Sequence, residues 1–85
     1  MGGLRGHREE QLRLLYTRNA FNRSTAVPVG FDHAFRPVTL SRMVDEGLVE
    51  NDYLPLGGDS RRRTSHYWLT AIGAVFARDL EAAAK

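Results

Sequence analysis

The stretch from Pro37 to Gly73 limits what this chain can fold into, because it predicts a helix, a hairpin and the start of another helix. Pro37 suits the first turn of a helix, where a missing N–H costs nothing. Gly47 suits the left-handed residue that follows a helix. Between them, apolar residues recur at helical spacing: Leu40, Met43 and Val44, with Leu48 one step further. We therefore predict a helix over residues 37–46.

A hairpin is predicted after that helix. Its first strand begins at Leu48, with Leu54 at or near its end. Residues 55–60 have turn chemistry, since the two glycines among them adopt positive φ without steric cost. The second strand covers residues 66–69, and strand alternation directs two of its side chains into the core: Tyr67 and Leu69. Trp68 lies on the other face, where we expect it to be partly covered.

A last helix is predicted over residues 71–83. The hydroxyl of Thr70 is placed to cap its first turn. Helical periodicity directs four of its apolar side chains inward: Ile72, Val75, Phe76 and Leu80.

The N-terminal half predicts one further helix, over residues 7–19, because that segment is rich in strong helix formers. Leu12, Leu15 and Tyr16 form its buried face, with Ala20 at the edge. Two apolar residues fall on the other side, and they either pack under the next loop or form a dimer contact: Leu14 and Phe21.

The segment from Ser24 to Phe35 has the weakest signals. Pro28 excludes a regular helix through its middle. Residues 25–29 can form a short strand that adds to the hairpin, and residues 32–35 can form a single helical turn. We expect the two phenylalanines to lie in the core: Phe31 and Phe35.

Length and composition indicate one small domain over residues 7–85 after a flexible segment, residues 1–6. The hydrophobic fraction of 42% fits a globular domain and not a disordered chain. There is no cysteine, no long apolar run and no apolar N-terminal stretch, so the cytoplasm is the expected location.

No catalytic, cofactor or metal site is predicted. The three histidines (His7, His33 and His66) are scattered and lack the spacing of a zinc site. The serines and threonines form no nucleophile motif, and the chain has no phosphate-binding glycine loop. We therefore expect a protein that is not an enzyme.

Charge is distributed unevenly along the chain. The net charge is only +2, but Arg61, Arg62 and Arg63 are contiguous, whereas acidic residues gather at 45–52. Such separation orients a protein toward a polyanion. The alternative is a solvated loop of arginines with no partner.

The outward face of the predicted helix at 37–46 supplies further candidates for contact with DNA. By phase, Val38, Arg42 and Asp45 point away from the apolar stripe, flanked by Thr39 and Ser41. The N-terminal residues of a recognition helix reach base edges, so we predict five contact residues: Arg36, Val38, Thr39, Ser41 and Arg42. Arg42 can bond guanine, and the methyl groups of Val38 or Thr39 can meet thymine. The alternative is an ordinary amphipathic helix.

Residues 40–73 resemble the winged-helix core of MarR- and PadR-type bacterial transcription regulators. The matching residues are Leu40-x-x-Met43-Val44-Asp45-Glu46-Gly47-Leu48-Val49-Glu50, Arg62-Arg63 and Tyr67-x-Leu69-Thr70-x-x-Gly73. The resemblance implies an α+β winged helix-turn-helix whose second wing arginine, Arg63, reaches the DNA backbone or minor groove, with Arg62 beside it. This chain departs from the family in its longer wing, its unclear supporting helix and its lack of long dimerisation helices. Ligand sensing and dimer architecture therefore do not carry over.

The expected function is that of a small prokaryotic or phage-type transcription regulator, acting as a homodimer on double-stranded DNA. Helix 37–46 would read the major groove, and the wing at residues 55–64 would contact the backbone or minor groove through Arg61, Arg62 and Arg63. A protein–protein adaptor or inhibitor that uses the same fold without DNA is the alternative.

Overall fold

The computed structural model describes residues 3–30, 34–57 and 59–83. Within them the chain forms a small α+β fold of three α-helices, one 3-10 turn and a three-stranded antiparallel sheet. The elements follow in this order: α1 (Gly3–Thr17), the 3-10 turn (Arg23–Thr25), β1 (Val27–Pro28), α2 (Pro37–Asp45), β2 (Val49–Leu56), β3 (Asp59–Leu69) and α3 (Ala71–Ala83). No helix in these three ranges is both long and apolar enough to cross a membrane.

Helix α1 begins at Gly3, four residues before the predicted start at His7, and it ends at Thr17. Asn19 adopts a left-handed conformation with φ of 58°. The N–H of Ala20 then bonds the carbonyl of Leu15, and the N–H of Asn19 bonds that of Tyr16. These two bonds form a Schellman motif, which explains why the helix stops short of Asn19.

The sheet has the strand order β1-β3-β2, so the predicted strand within residues 25–29 is confirmed and it adds to the hairpin. Val27 pairs with Tyr67, and β2 pairs with β3 from Val49↔Leu69 to Pro55↔Arg63. The turn predicted over residues 55–60 is too long, because β2 continues to Leu56 and β3 already begins at Asp59. Gly57, between the two strands, has the positive φ that was expected, 62°. The hairpin is thus longer and its turn shorter than the glycines and proline suggested.

One hydrophobic core lies where α1 packs against α2, α3 and the sheet. Most residues predicted to point inward from α1, its edge and β3 are confirmed as buried: Leu12, Leu15, Ala20, Tyr67 and Leu69. Tyr16 is half-buried and packs against this core. Phe35 is also buried as predicted, whereas Phe31 lies outside the described residues.

No described residue between the 3-10 turn and Pro37 is helical, and residues 32 and 33 of the predicted helical turn at 32–35 lie outside the described ranges. Helix α1 is the one that packs against α2.

Helix α3 turns a different face inward from the one predicted. Ile72, Val75 and Phe76 are exposed, with 61%, 47% and 54% of their surface accessible, and Leu80 is half-buried. Gly73 and Ala77 are the buried positions. A Cβ atom on Gly73 would come within 1.9 Å of the Leu48 carbonyl oxygen. The small residues allow a close approach that the large ones would prevent, so α3 packs through its small side chains.

Candidate nucleic-acid interface

Helix α2 begins at Pro37 and ends just before Gly47, the two residues that the sequence predicts at its ends. Pro37 occupies the first helical position, and Arg36 before it is extended, as residues before proline usually are. Gly47 has φ of 78°, and the N–H groups of Gly47 and Leu48 bond the carbonyls of Val44 and Met43. This second Schellman motif ends the helix and directs the chain straight into β2.

The outer face of α2 is a stripe at helical spacing: Val38, Ser41, Arg42 and Asp45 are all exposed. Val38 has 68% of its surface accessible although it is apolar. The Arg42 side chain has no hydrogen bond or ion pair with any residue that the structure describes. The stripe therefore presents one apolar group, one hydroxyl, one cation and, at its C-terminal end, one carboxylate.

Thr39 does not belong to this outer face. It is 6% exposed and lies among the buried residues of α2 with Leu40 and Met43. Helix α2 contacts both α1 and β2, so its buried arc is wider than the apolar stripe alone suggests. The prediction that Thr39 flanks the outward face of α2 is therefore wrong.

The start of α2 is held by a buried glutamine of α1 that the sequence analysis did not select. Gln11 is fully buried, and its Nε2 donates to the Ala34 carbonyl at 3.0 Å. Its Oε1 accepts from the backbone N–H of Arg36 at 2.8 Å. One signal was available: Gln11 precedes Leu15 by four residues and so shares the buried face of α1.

The Arg36 side chain is also bound to α1. Its Nε donates to Glu10 Oε1 at 3.1 Å, and both side chains are about half exposed. The hydrogen bond from Arg36, followed by its positive charge, lowers the pKa of the Glu10 carboxyl below the usual value. Arg36 is thus placed at the N-terminal end of α2 as predicted, with its guanidinium turned toward a carboxylate of α1.

The arginine triplet, Arg61 to Arg63, lies in strand β3 rather than in a loop. All three side chains are exposed. The pairing of the two strands shifts between Pro55↔Arg63 and Leu56↔Asp59, so Arg61 and Arg62 fall in an irregular part of the strand. Arg63 Nη1 donates to the Tyr53 carbonyl at 3.5 Å. A bulge of this kind changes the direction in which side chains leave a strand.

Several other arginines pair with carboxylates. Arg23 of the 3-10 turn pairs with Asp52 of β2, and Arg13 of α1 pairs with Glu81 of α3. Arg8 Nε lies 3.2 Å from Glu46 Oε1, in a contact that is Coulombic rather than an aligned hydrogen bond. Glu46, the residue directly after α2, is therefore compensated by α1.

The hairpin, α2 and α3 meet at Thr70. Its Oγ1 donates to the Gly47 carbonyl at 2.7 Å and accepts from the N–H of Gly73 at 3.0 Å. The N–H of Thr70 also bonds the Leu48 carbonyl at 3.1 Å. The predicted cap is confirmed, and it ties the end of α2 to the base of the hairpin. The two elements that carry the candidate contact residues are therefore joined by hydrogen bonds at this point.

Among the described residues, no three histidine, aspartate or glutamate side chains come together in a way that could hold a metal ion. His33 lies outside them.

Comparisons with protein-family models, with curated proteins and with solved structures find no match for this chain.

Proposed function

We propose that this protein is a winged helix-turn-helix that binds double-stranded DNA as a transcription regulator. Helix α2 enters the major groove, and the β2–β3 hairpin is a wing that contacts the backbone or minor groove. The observation that carries the proposal is that three arginines of α2 and the hairpin have no acidic partner among the described residues. Arg42 and Arg62 make no contact with a described carboxylate, and Arg63 bonds only a backbone carbonyl. All three lie on α2 and the hairpin, which follow each other directly along the chain.

Each contact residue has a role that its position supports. Arg42 reads a guanine edge, while Val38 and Ser41 contact neighbouring bases from the same exposed stripe. Arg61, Arg62 and Arg63 neutralise phosphates and set the orientation on the duplex. Thr39 supports α2 from the core instead of reading DNA.

Helix α1 takes the supporting role in this proposal. It packs against α2, and Gln11 holds the backbone at the start of α2. A recognition helix needs such a support, because base contacts depend on its orientation in the groove. The sequence offered no supporting helix at residues 24–35, and α1 supplies one from an earlier part of the chain.

Selection of bound duplexes from a random pool tests this function. We expect an enriched consensus, and enrichment should be lost for Arg42→Ala with the fold retained. Each lost base contact should weaken discrimination by about 1–3 kcal/mol. Recovery of an unenriched pool by the folded wild-type protein would contradict sequence-specific DNA binding.

A protein–protein adaptor is the second candidate, favoured by one observation: the exposed apolar side chains of α3. An adaptor without DNA binding would elute early from a duplex DNA column, with no change when the arginine triplet is replaced by alanine.

A further inference from the structure

Three large apolar side chains of α3 form one exposed patch, which we call the α3 patch: Ile72, Val75 and Phe76. Their spacing of three and four residues places them side by side on the helix. Their accessible fractions, 61%, 47% and 54%, are high for residues of this size on one helix face. Soluble monomers rarely expose a contiguous apolar group of this kind unless it binds something.

A crevice of about 240 Å³ adjoins the α3 patch. Phe76 and Leu80 line it from α3, and Leu48 lines it from the start of the hairpin. From α1 it is lined by Leu12 and, at its border, by the charged residues Arg8 and Glu9. Small-molecule sites usually measure about 300–1,000 Å³. This crevice is below that range, and its size suits one apolar side chain from a protein surface.

The patch and the crevice together make this surface self-complementary. Ile72, Phe76 and Leu80 lie in one row, each four residues after the last. In an antiparallel pair of α3 helices with the two-fold axis at Phe76, Ile72 of one copy lies over Leu80 of the other. Each copy then places an exposed side chain into the crevice of its partner, as an isologous interface requires.

Charge does not oppose this pairing. On α3, Asp79 lies 3.7 Å from the guanidinium of Arg78, so this pair has no net charge. The crevice is likewise bordered by one carboxylate and one guanidinium, those of Glu9 and Arg8. In the antiparallel arrangement the two copies of Asp79 are separated along the axis by six residues, or roughly 9 Å. Repulsion over that distance is screened at physiological salt. A strongly basic surface such as the arginine triplet would instead repel its own copy.

We propose that the α3 patch is the interface of a homodimer, formed by a second copy of this chain across the two-fold axis at Phe76. Formation of this dimer does not require DNA. One consequence of the dimer, that its two copies of α2 contact two half-sites of a DNA duplex, rests on the proposed function.

Sedimentation equilibrium of the full chain tests the interface directly. Wild-type protein should show a reversible monomer–dimer equilibrium, and Ile72→Glu should weaken it about tenfold or more, as for an interface hot spot. Tyr53→Glu is the matched control, since it places the same charge at an exposed large residue on the hairpin, and it should leave the equilibrium unchanged. A wild-type protein that is monomeric throughout, or equal effects of the two substitutions, would overturn the proposal.

Single cysteines give a second readout, because the chain has none of its own. Phe76→Cys places the two thiols at the proposed axis, so mild oxidation should join two copies rapidly. Val38→Cys, on the outer face of α2, should cross-link more slowly by at least tenfold. Equal rates at the two positions would contradict the interface even if DNA binding is established. Failure of DNA binding with intact cross-linking would contradict the proposed function and leave the dimer in place.

Discussion

Gln11 shows how one buried side chain can set the position of a surface. Its amide is inside the protein, yet its two shorter hydrogen bonds go to the backbone on either side of Phe35, immediately before α2. A third, at 3.5 Å, goes to the neighbouring Glu10 carboxylate. A buried donor or acceptor without a partner costs more than a hydrogen bond contributes. The amide and the chain before α2 therefore hold each other in place.

Replacing Gln11 by Met keeps the volume and removes these hydrogen bonds. We expect Gln11→Met to reduce the free energy of unfolding by about 1–3 kcal/mol, since the Arg36 N–H and the Ala34 carbonyl lose their partner. Urea denaturation measures the change. Glu9→Met, an exposed position on the same helix, should stay within about 0.5 kcal/mol of wild type. Similar stability of the two variants would show that the amide does not hold α2.

The Glu10–Arg36 pair makes stability depend on pH. Because the folded protein has a lowered Glu10 pKa, the pair stabilises the fold above the usual carboxyl value and the effect is lost as pH falls through the lowered pKa. We expect Glu10→Gln to melt below wild type at neutral pH, with the difference disappearing in acid. Thermal melts across this range check it. A difference that grows on acidification would have the wrong sign for this pair.

At the scale of elements, local chemistry specified α2 and the base of the hairpin. Proline before a helix, glycine after it and a capping threonine act through the nearest few backbone groups. The bounds of α2 and the bond from the Gly73 N–H to Thr70 follow from these signals. The bond from Thr70 to the Gly47 carbonyl does not, because it joins residues 23 apart. Strands β2 and β3 are longer than predicted because they pair with each other, and no local signal at residues 55–60 indicates this pairing.

The inward face of α3 could not be read in the same way. Periodicity showed that Ile72, Val75 and Phe76 share a face, but not which face meets the core. That choice is made by Gly73, whose missing side chain lets the helix lie against the Leu48 carbonyl. The close approach of α3 to the backbone at Leu48 thus determines which face of the helix is buried, although it leaves the larger side chains exposed.

Gly73→Ala should therefore destabilise the protein. The added methyl group meets a backbone atom, and overpacking of this kind costs about 1–3 kcal/mol. The higher helix propensity of alanine offsets at most about 1 kcal/mol of this loss of stability. Gly6→Ala is the matched control, because nothing lies within 4 Å of a Cβ there, and it should be neutral or stabilising. Equal midpoints of urea denaturation for the two variants would contradict the close approach.

At the scale of the whole molecule, the hairpin extends the protein beyond its core. The chain measures 40 × 22 × 22 Å, and its radius of gyration of 12.6 Å slightly exceeds the roughly 12 Å of a compact domain of this length. Past Val49 no residue of β2 is fully buried. The arginine triplet thus lies on a part of the molecule that is available to a partner.

Much of the candidate site follows from sequence, and the exceptions have physical causes. The stripe of Val38, Ser41 and Arg42 is exposed, as its helical phase predicts. Thr39 is buried because α2 packs against two elements at once, which phase alone does not reveal. Gln11 has a helical phase that places it on the buried face of α1, but its hydrogen-bond partners lie more than twenty residues away and cannot be predicted from the local sequence.

The salt dependence of duplex binding tests the central claim most directly. Each phosphate contact adds about 0.9 to the slope of log affinity against log salt. Arg62→Ala should lower that slope by about 1, and alanine at all three positions of the arginine triplet should lower it by about 3. Arg78→Ala removes the same charge from α3 and should leave the slope unchanged. A triple variant that stays folded and binds DNA with the wild-type affinity and slope would contradict the account.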